Sequence, residues 1–332
     1  MRVVMLCGGE SSERDVSLSG GWALAGALTE RGHEVSVIDP AAAEQVLAER
    51  VEGNGTSYPI PKTPPAMDGQ PLWRERMYSA LTGGDVLRRM RAADRVFMGL
   101  IGGWSEDGHV QALLEMAGIS FTGAGSATCA LSWQKDRCQA LLGAYGVPVA
   151  ERVVLRPGGG LPDRVKEFLD AGPVVVKPIA DGSSVDVRQV RTLQELAAIT
   201  PRTDLLVEPF LPGREFTVGV VGDQVLPVVE IELSTAIFDY ETKYQPGAAR
   251  EICPAEVTPD FAARLQELAR TAHDALGAPA YSRADFRCDA AGNPYCLEVN
   301  ALPGLAPVSL VPRAAAAHGW SYADLAEQIL NL

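Results

Sequence analysis

The chain is short of histidine, of basic charge and of long apolar runs, and each shortage removes a class of function. Its four histidines, at 33, 109, 273 and 318, are widely scattered, so a histidine-built zinc site is not expected. Lysine and arginine number 29 against 42 aspartates and glutamates, a formal net charge of −13. A surface that acidic repels nucleic acid and anionic membranes, and neither is expected as a partner. No apolar stretch is long enough to span a bilayer. The opening Met1-Arg2-Val3-Val4-Met5-Leu6-Cys7 is too short for the apolar region of a secretion signal, and no cleavage pattern follows it. Six cysteines form no CxxC pair and no dense framework, which suits free, mostly buried thiols in a reducing cytoplasm. The turn after the first strand is Gly8-Gly9 rather than GxGxxG, so the dinucleotide fingerprint is missing as well.

What is present is an ordinary globular composition, 47% apolar over 332 residues, enough for two or three domains. An apolar strand at 2–7, a helical pattern from 17 to 31 and a strand at 35–38 give a β-turn-α-β order and predict a parallel sheet. A further strand at 94–101, the loop Gly102–Gly108 and a helix over 109–117 extend this unit to about residue 124. Open α/β sheets bind ligands at the carboxyl ends of their strands. Glu13 is well placed there to hold a substrate amine. Residues 51–79, rich in glycine and proline, read as a long surface excursion without clear chemistry; a helix then runs to about Ala92, and from about Ser126 another carries Lys135 to near Tyr145. Further on, Val174-Val175-Val176-Lys177-Pro178 is a β-rich run ending in a lysine that needs a partner if buried. The small-residue loop Asp181-Gly182-Ser183-Ser184-Val185 follows, and the backbone N–H groups of such loops can cradle phosphate. Residues 234–249 lack periodicity and carry Lys243 and Tyr244, as an active-site lid would.

Near the end, Tyr281–Phe286 and Tyr295–Asn300 flank a turn of Asp, Gly, Asn and Pro, which predicts a β-hairpin. Alternation puts Arg283 and Asp285 on one face, and Glu298 and Asn300 likewise share a face. Two carboxylates and an amide are hard oxygen donors of the kind Mg²⁺ takes when phosphates complete its shell. A solvated polar face on a plain hairpin accounts for the same pattern.

Taken in order, a longer set of pieces carries a resemblance. It comprises Gly8-Gly9 with Ser12-Glu13-Arg14-Asp15-Val16-Ser17, Glu106-Asp107-Gly108 with Gln111, Lys135, and Val176-Lys177-Pro178 with Gly182-Ser183-Ser184-Val185. It continues through Glu208, Glu215-Phe216-Thr217, Asp239-Tyr240-Glu241 with Lys243-Tyr244, Arg283 with Asp285, and Glu298 with Asn300, Pro303-Gly304 and Ser309-Leu310. The set resembles the ATP-grasp ligases, and within them the D-alanine–D-alanine ligase family, over nearly the whole chain. The resemblance implies α/β and α+β architecture in the ATP-grasp fold. It divides the chain into an N-terminal α/β substrate-side domain (1–124), a small central domain (125–206) and a C-terminal domain (207–332) with the metal site and the lid. It implies that ATP lies between the last two. Lys135, Lys177 and the Ser183-Ser184 loop would meet the phosphates, Glu208 the adenine amino group, Glu215 the ribose, and Phe210, Leu211 and Leu297 the adenine surroundings. Asp285, Glu298 and Asn300 would hold two Mg²⁺ ions, with Mn²⁺ as a substitute. One amino acid's carboxylate would become an acyl phosphate, and a second amino acid's amine would displace the phosphate. Arg283 and the Gly304 N–H would stabilise the oxyanion. Glu13, linked to Ser183 and Tyr244, would hold the first amine. Lys243 and Ser309 would hold the second carboxylate, with Glu106 and Leu310 beside the substrates. A cytoplasmic homodimer serving peptidoglycan synthesis is the setting the resemblance implies.

The chain also departs from that pattern. Ile101-Gly102 stands where the family has His-Gly, Trp104 adds bulk, and Ser105 precedes Glu-Asp-Gly in place of glycine. Asp186 follows Ser183-Ser184-Val185 in place of glycine, and Pro209 stands where a lysine is common. These changes spare the metal and nucleotide residues and gather at the amino-acid subsites and loops. A ligase of the same mechanism acting on a different amino acid or amine fits them too, and a non-catalytic nucleotide-binding protein is a further reading. Plainer roles also fit single residues: Glu13 as a helix-start carboxylate, Tyr244 as loop packing, Ser309 as a helix cap.

Overall fold

The fold is a computed structural model, which describes residues 1–52, 58–61, 63, 65–182, 186–199, 201–233, 249–277 and 279–332. Val3, Val4, Met5 and Leu6 of β1 (Arg2–Leu6) are almost wholly buried, because this strand runs down the middle of its sheet. It is followed by α1 (Arg14–Glu30), β2 (Glu34–Ile38) and β3 (Val46–Ala48), then α2 (Gln70–Thr82), α3 (Gly84–Ala92), β4 (Arg95–Met98) and α4 (His109–Met116). The sheet order is β3-β2-β1-β4. β1 pairs with β2 and β4 in parallel, as the β-turn-α-β pattern predicts, and β3 adds an antiparallel edge. The turn after β1 needs its glycine. Gly8 has φ +80°, and a Cβ there would sit 2.5 Å from the Asp39 carboxyl carbon. Asp39 itself accepts the Gly9 N–H at 3.2 Å and pairs with Arg14.

The second unit holds α5 (Ser126–Trp133), α6 (Lys135–Ala144), β5 (Val153–Leu155), α7 (Asp163–Ala171), β6 (Val174–Pro178), β7 (Arg188–Val190), α8 (Leu193–Ala197) and β8 (Leu205–Pro209). Its sheet, β5-β8-β6-β7, is antiparallel throughout. β8 therefore belongs with this sheet up to Pro209. The third unit holds β9 (Glu215–Val221), β10 (Gln224–Val225), β11 (Val229–Leu233), β12 (Ala249–Ile252), α9 (Pro259–Ala275), β13 (Tyr281–Cys288), β14 (Pro294–Asn300), α10 (Leu310–Ala317) and α11 (Tyr322–Asn331). Its sheet runs β12-β11-β9-β13-β14, with β10 on β9. α9 covers this sheet through Leu265, Ala269 and Ala272, which share a core with Phe216, Val218 and Phe286. α11 returns to the N-terminal core, where Leu325 and Ile329 are buried together with Leu24 and Leu28 of α1. None of the described helices is long and apolar enough to cross a membrane.

Three local expectations are revised. The helix expected after the excursion over 51–79 starts within it: α2 begins at Gln70 with a proline in its first turn, where the missing N–H is no loss. The helix expected to run on to Ala92 breaks at Gly83, whose extended backbone separates α2 from α3. The helix expected to carry Lys135 from Ser126 breaks at Gln134, so Lys135 opens α6. All six cysteines are free, five of them buried, as their positions in apolar runs predict.

His273 of α9 is 1% exposed, and its Nδ1 lies 2.8 Å from the Ser282 hydroxyl of β13. Burial, helped by Arg270, lowers its pKa to about 4, against weaker pulls from Asp274 and Asp223. The folded value lies below that of the unfolded chain, about 6.5. The stability His273 contributes is therefore complete above the unfolded value and is lost as pH falls toward 4. Urea midpoints at pH 7 and pH 4.5 should drop further for the native chain than for His273→Gln. Equal drops would contradict this assignment.

Candidate functional site

The hairpin of β13 and β14 pairs Arg283 with Asn300 and Asp285 with Glu298. The two carboxylates that alternation predicts on one surface therefore lie directly across the ladder from each other. Between Asp285 and Phe286 the register shifts, and the extra residue on β14 is Leu297. Strict alternation would send Leu297 to the face opposite Glu298, but a bulge re-aims a side chain, and both line the same cleft. The Leu297 carbonyl accepts a hydrogen bond from Gln139 Nε2 of α6 at 3.0 Å. Asp285 accepts four hydrogen bonds: two from Arg283 at 2.9 and 2.8 Å, one from Thr217 at 2.6 Å and one from Asn300 Nδ2 at 3.1 Å.

Opposite the hairpin stand two lysines. Lys177, next to last in β6, has 7% of its surface exposed, and its Nζ lies 2.7 Å from Glu208 Oε2 of β8. Burial alone would lower this lysine's pKa, but Glu208 and Glu298 outweigh burial and the net shift is upward. Gln139 Nε2 donates to the other Glu208 oxygen at 2.6 Å. Lys135 lies 3.3 Å from Glu298 and donates to the Asp181 carbonyl at 2.5 Å, with its ammonium 6.0 Å from the Trp133 ring centroid. These contacts join the central sheet, α6 and the hairpin around one cleft.

The cleft has a volume of about 220 Å³. Of the site residues expected from the sequence, Glu13, Glu106, Lys135, Lys177, Glu208, Phe210, Leu211, Glu215, Arg283, Asp285, Leu297, Glu298, Asn300, Gly304, Ser309 and Leu310 all line it. Ser183, Ser184, Lys243, Tyr244 and the lid at 234–248 lie outside the described residues. The carboxylates in its wall (Glu13, Glu106, Asp181, Glu208, Glu215, Glu251, Asp285, Glu298) outnumber the cations (Lys135, Lys177, Arg283, Arg287) among the described residues. A polyanionic guest enters such a site more readily with a divalent cation. Asp285, Glu298 and Asn300 fit one: they are oxygen donors, and too few to fill an octahedral shell without phosphate or water.

One end of the cleft is built by loops at the carboxyl ends of β1 and β4. Glu13, 7% exposed, stands just before α1, and a Cβ added to Gly182 would be 3.3 Å from its Oε2. The loop that follows the lysine strand therefore closes on Glu13. Gly102 N–H donates to Glu106 Oε1 at 2.9 Å. Burial, reinforced by the Glu13 charge, lifts the Glu106 pKa well above the ordinary carboxylate range, against the Gly102 N–H and Arg283. Ile101, 8% exposed, adds an apolar wall; a Cβ on Gly304 would lie 3.7 Å from its Cδ1 and 3.4 Å from Ser309 Oγ. Ser309 does occupy the N-cap position of α10, yet its side chain makes no capping bond, and it faces the cleft instead.

Sequence reasoning missed several residues. Arg287 pairs with Glu215 at 3.2 Å and stacks its guanidinium 4.9 Å from the Phe210 ring centroid. It continues the every-second-residue series Arg283, Asp285, and that period could have found it. Gln139 sits four residues after Lys135 on α6, the spacing that puts side chains on one helix face. Trp133 and Glu251, which line the cleft too, had no such signal. Glu208→Gln keeps shape but strips the charge that Lys177 faces. Urea unfolding should show a loss of about 3–5 kcal/mol, and a loss under 1 kcal/mol would mean that Lys177 finds another partner.

The comparisons with known proteins bear on the whole chain. The sequence pattern described as D-ala D-ala ligase N-terminus matches residues 2–124, and that described as D-ala D-ala ligase C-terminus matches 141–331. A D-alanine–D-alanine ligase of Pseudoalteromonas translucida is 35% identical over 99% of this chain and 96% of its own length. One of Cereibacter sphaeroides is 37% identical over 97% and 92%. Among solved structures, the Bacillus anthracis D-alanine–D-alanine ligase complexed with ATP aligns with a TM-score of 0.77 at 22% identity, covering 100% of this chain and 96% of that one. The VanG D-Ala:D-Ser ligase of Enterococcus faecalis aligns with a TM-score of 0.75 at 25% identity, covering 100% and 98%.

Proposed function

The chain belongs to the D-alanine–D-alanine ligase family, and from that premise we propose that this ATP-dependent ligase joins D-alanine to a second D-amino acid. The observation that carries the reading is the placement of Asp285 opposite Glu298 in the cleft that also holds Lys177, Lys135, Glu13 and Arg283. ATP is read as the co-substrate, with its phosphates toward Lys135 and Lys177 and its base among Glu208, Phe210, Leu211 and Leu297. Glu215, held by Arg287, is read as the ribose contact. The first amino acid's carboxylate oxygen attacks the γ-phosphorus and ADP leaves. The second amino acid's amine attacks the resulting acyl carbon, and phosphate leaves with that oxygen. Arg283 and the Gly304 N–H face the oxygen on which negative charge develops. Glu13 would hold the first ammonium, and Ser309 the second carboxylate. Ser183, Ser184, Lys243 and Tyr244, outside the described residues, belong to the same proposal with the roles the family implies.

Asp285, Glu298 and Asn300 would hold magnesium, two ions with Mn²⁺ as a substitute; when bound, it neutralises phosphate charge and polarises the transferred group. A division into three domains, with the boundary expected at 206/207 moved past Pro209 where β8 ends, a cytoplasmic setting and a homodimer are parts of this reading. The identity of the second amino acid turns on the β4 end of the cleft. Ile101 gives it an apolar wall, and the alignment with a D-Ala:D-Ser ligase shows that this fold is also found in a protein with a different second substrate.

A panel of D- and L-amino acids, read by product mass and by ADP release, tests the reading. D-Ala-D-Ala or another D-Ala-containing dipeptide is expected. ATP binding without turnover on any member would support a non-catalytic binder instead. Glu298→Gln should lower turnover at least 100-fold while the urea midpoint stays near that of the native chain.

A further inference from the structure

We propose that Glu10 is a positioning residue for the amino-acid end of the cleft, acting through the loop Gly102–Glu106. It lies three residues before Glu13 in the turn after β1 and is 2% exposed, an unusual place for a carboxylate unless it is paired. One carboxylate ties its own turn to two segments distant in sequence, the loop at Trp104 and α2. Its Oε1 accepts the Trp104 N–H at 2.9 Å. Its Oε2 accepts the Gln70 side-chain amide at 3.0 Å and meets Arg74 Nε at 3.4 Å. The Arg74 guanidinium in turn lies 5.3 Å from the Trp104 ring centroid. Gln70 and Arg74 both belong to α2, so the excursion that reads from sequence as lacking chemistry is tied to the loop after β4.

That loop shapes the substrate end. It begins at Ile101, which lines the cleft and whose carbonyl accepts the Ser11 hydroxyl at 2.5 Å. It ends at Glu106, which also lines the cleft and is held by the Gly102 N–H. Gly103, with φ +55°, lets the backbone press against the Glu10 carboxylate; any Cβ there would run into it. The nucleotide end is built differently. Lys177 and Glu208 are set by β6 and β8, and Gln139 by α6, none of which is among the hydrogen-bond or ion-pair partners of Glu10. Loss of the Glu10 carboxylate should therefore loosen one end of the cleft and leave the other in place. Arg74 is 42% exposed at its side chain and can hydrate once released, so the fold should survive.

The functional half of this inference rests on the proposed ligase reading; the structural half does not. The test compares Glu10→Ala, Glu10→Gln and the native chain. In Glu10→Ala, amide hydrogen exchange over residues 102–106 should speed up at least 10-fold, with 174–178 unchanged. KM for the amino acid should rise at least 10-fold while KM for ATP stays within 2-fold. Glu10→Gln keeps an oxygen for the Trp104 N–H and should recover most of the amino-acid KM. Unchanged exchange in the loop would overturn the proposal, as would equal rises in the two KM values or a fall in kcat alone. If the native chain turns over no amino acid, the ligase reading fails, and the exchange comparison alone decides whether Glu10 sets the loop.

Discussion

A lysine buried in an apolar strand keeps its charge only beside an anion, and that constraint organises this protein. Lys177 is buried and meets Glu208 at 2.7 Å, with Glu298 contributing from the hairpin across the cleft. Desolvation of an ion pair costs several kcal/mol per ion, and only close partners and further hydrogen bonds offset it. Gln139 supplies one by bonding Glu208, and through the Leu297 carbonyl it fastens the same α6 to the bulge of β14. Lys135 repeats the arrangement nearer the surface, between Glu298 and the Asp181 carbonyl. The charges that anchor the sheets to each other are thus the charges a phosphate chain and its cation would use.

The opposite wall obeys a related rule. Asp285 is satisfied by Arg283, Thr217 and Asn300 together, so one of the carboxylates that would hold the metal also orients the arginine expected to face the developing oxyanion. Carboxylate surplus in the cleft and cation placement along it are complementary. Each makes sense of the other once a nucleotide polyanion with its divalent cation is the guest. The amino-acid end follows different physics: loops after β1 and β4 are held by buried and part-buried side-chain-to-backbone bonds of Glu10, Ser11 and Glu106.

How much of this could be read from the sequence depended on periodicity. The hairpin was legible because its strands alternate and its turn residues are unmistakable, and alternation alone put Arg283 with Asp285 and Glu298 with Asn300. Lys177 was legible because a charge in an apolar strand calls for a partner. The bulge at Leu297 was not legible, since a period of two assigns that residue to the wrong face and only pairing reveals the shift. α2 was hidden because just Met77, Ala80 and Leu81 of its residues are buried, leaving little apolar stripe to detect. The break at Gln134 was invisible for the opposite reason: helical residues flank it on both sides. Contacts between distant segments, such as Glu10 with Arg74 and Trp104, leave no local trace, so the resemblance to the ligase family supplied roles but not these supports.

The central claim is that a carboxylate in this cleft is phosphorylated and then captured by an amine. The most direct measurement follows oxygen. With D-alanine labelled by ¹⁸O in both carboxylate positions, the first D-alanine should lose one label to the released phosphate and keep the other in the new amide, while a second D-alanine keeps both in the free carboxylate. Dipeptide formed with unlabelled phosphate would contradict the acyl-phosphate route.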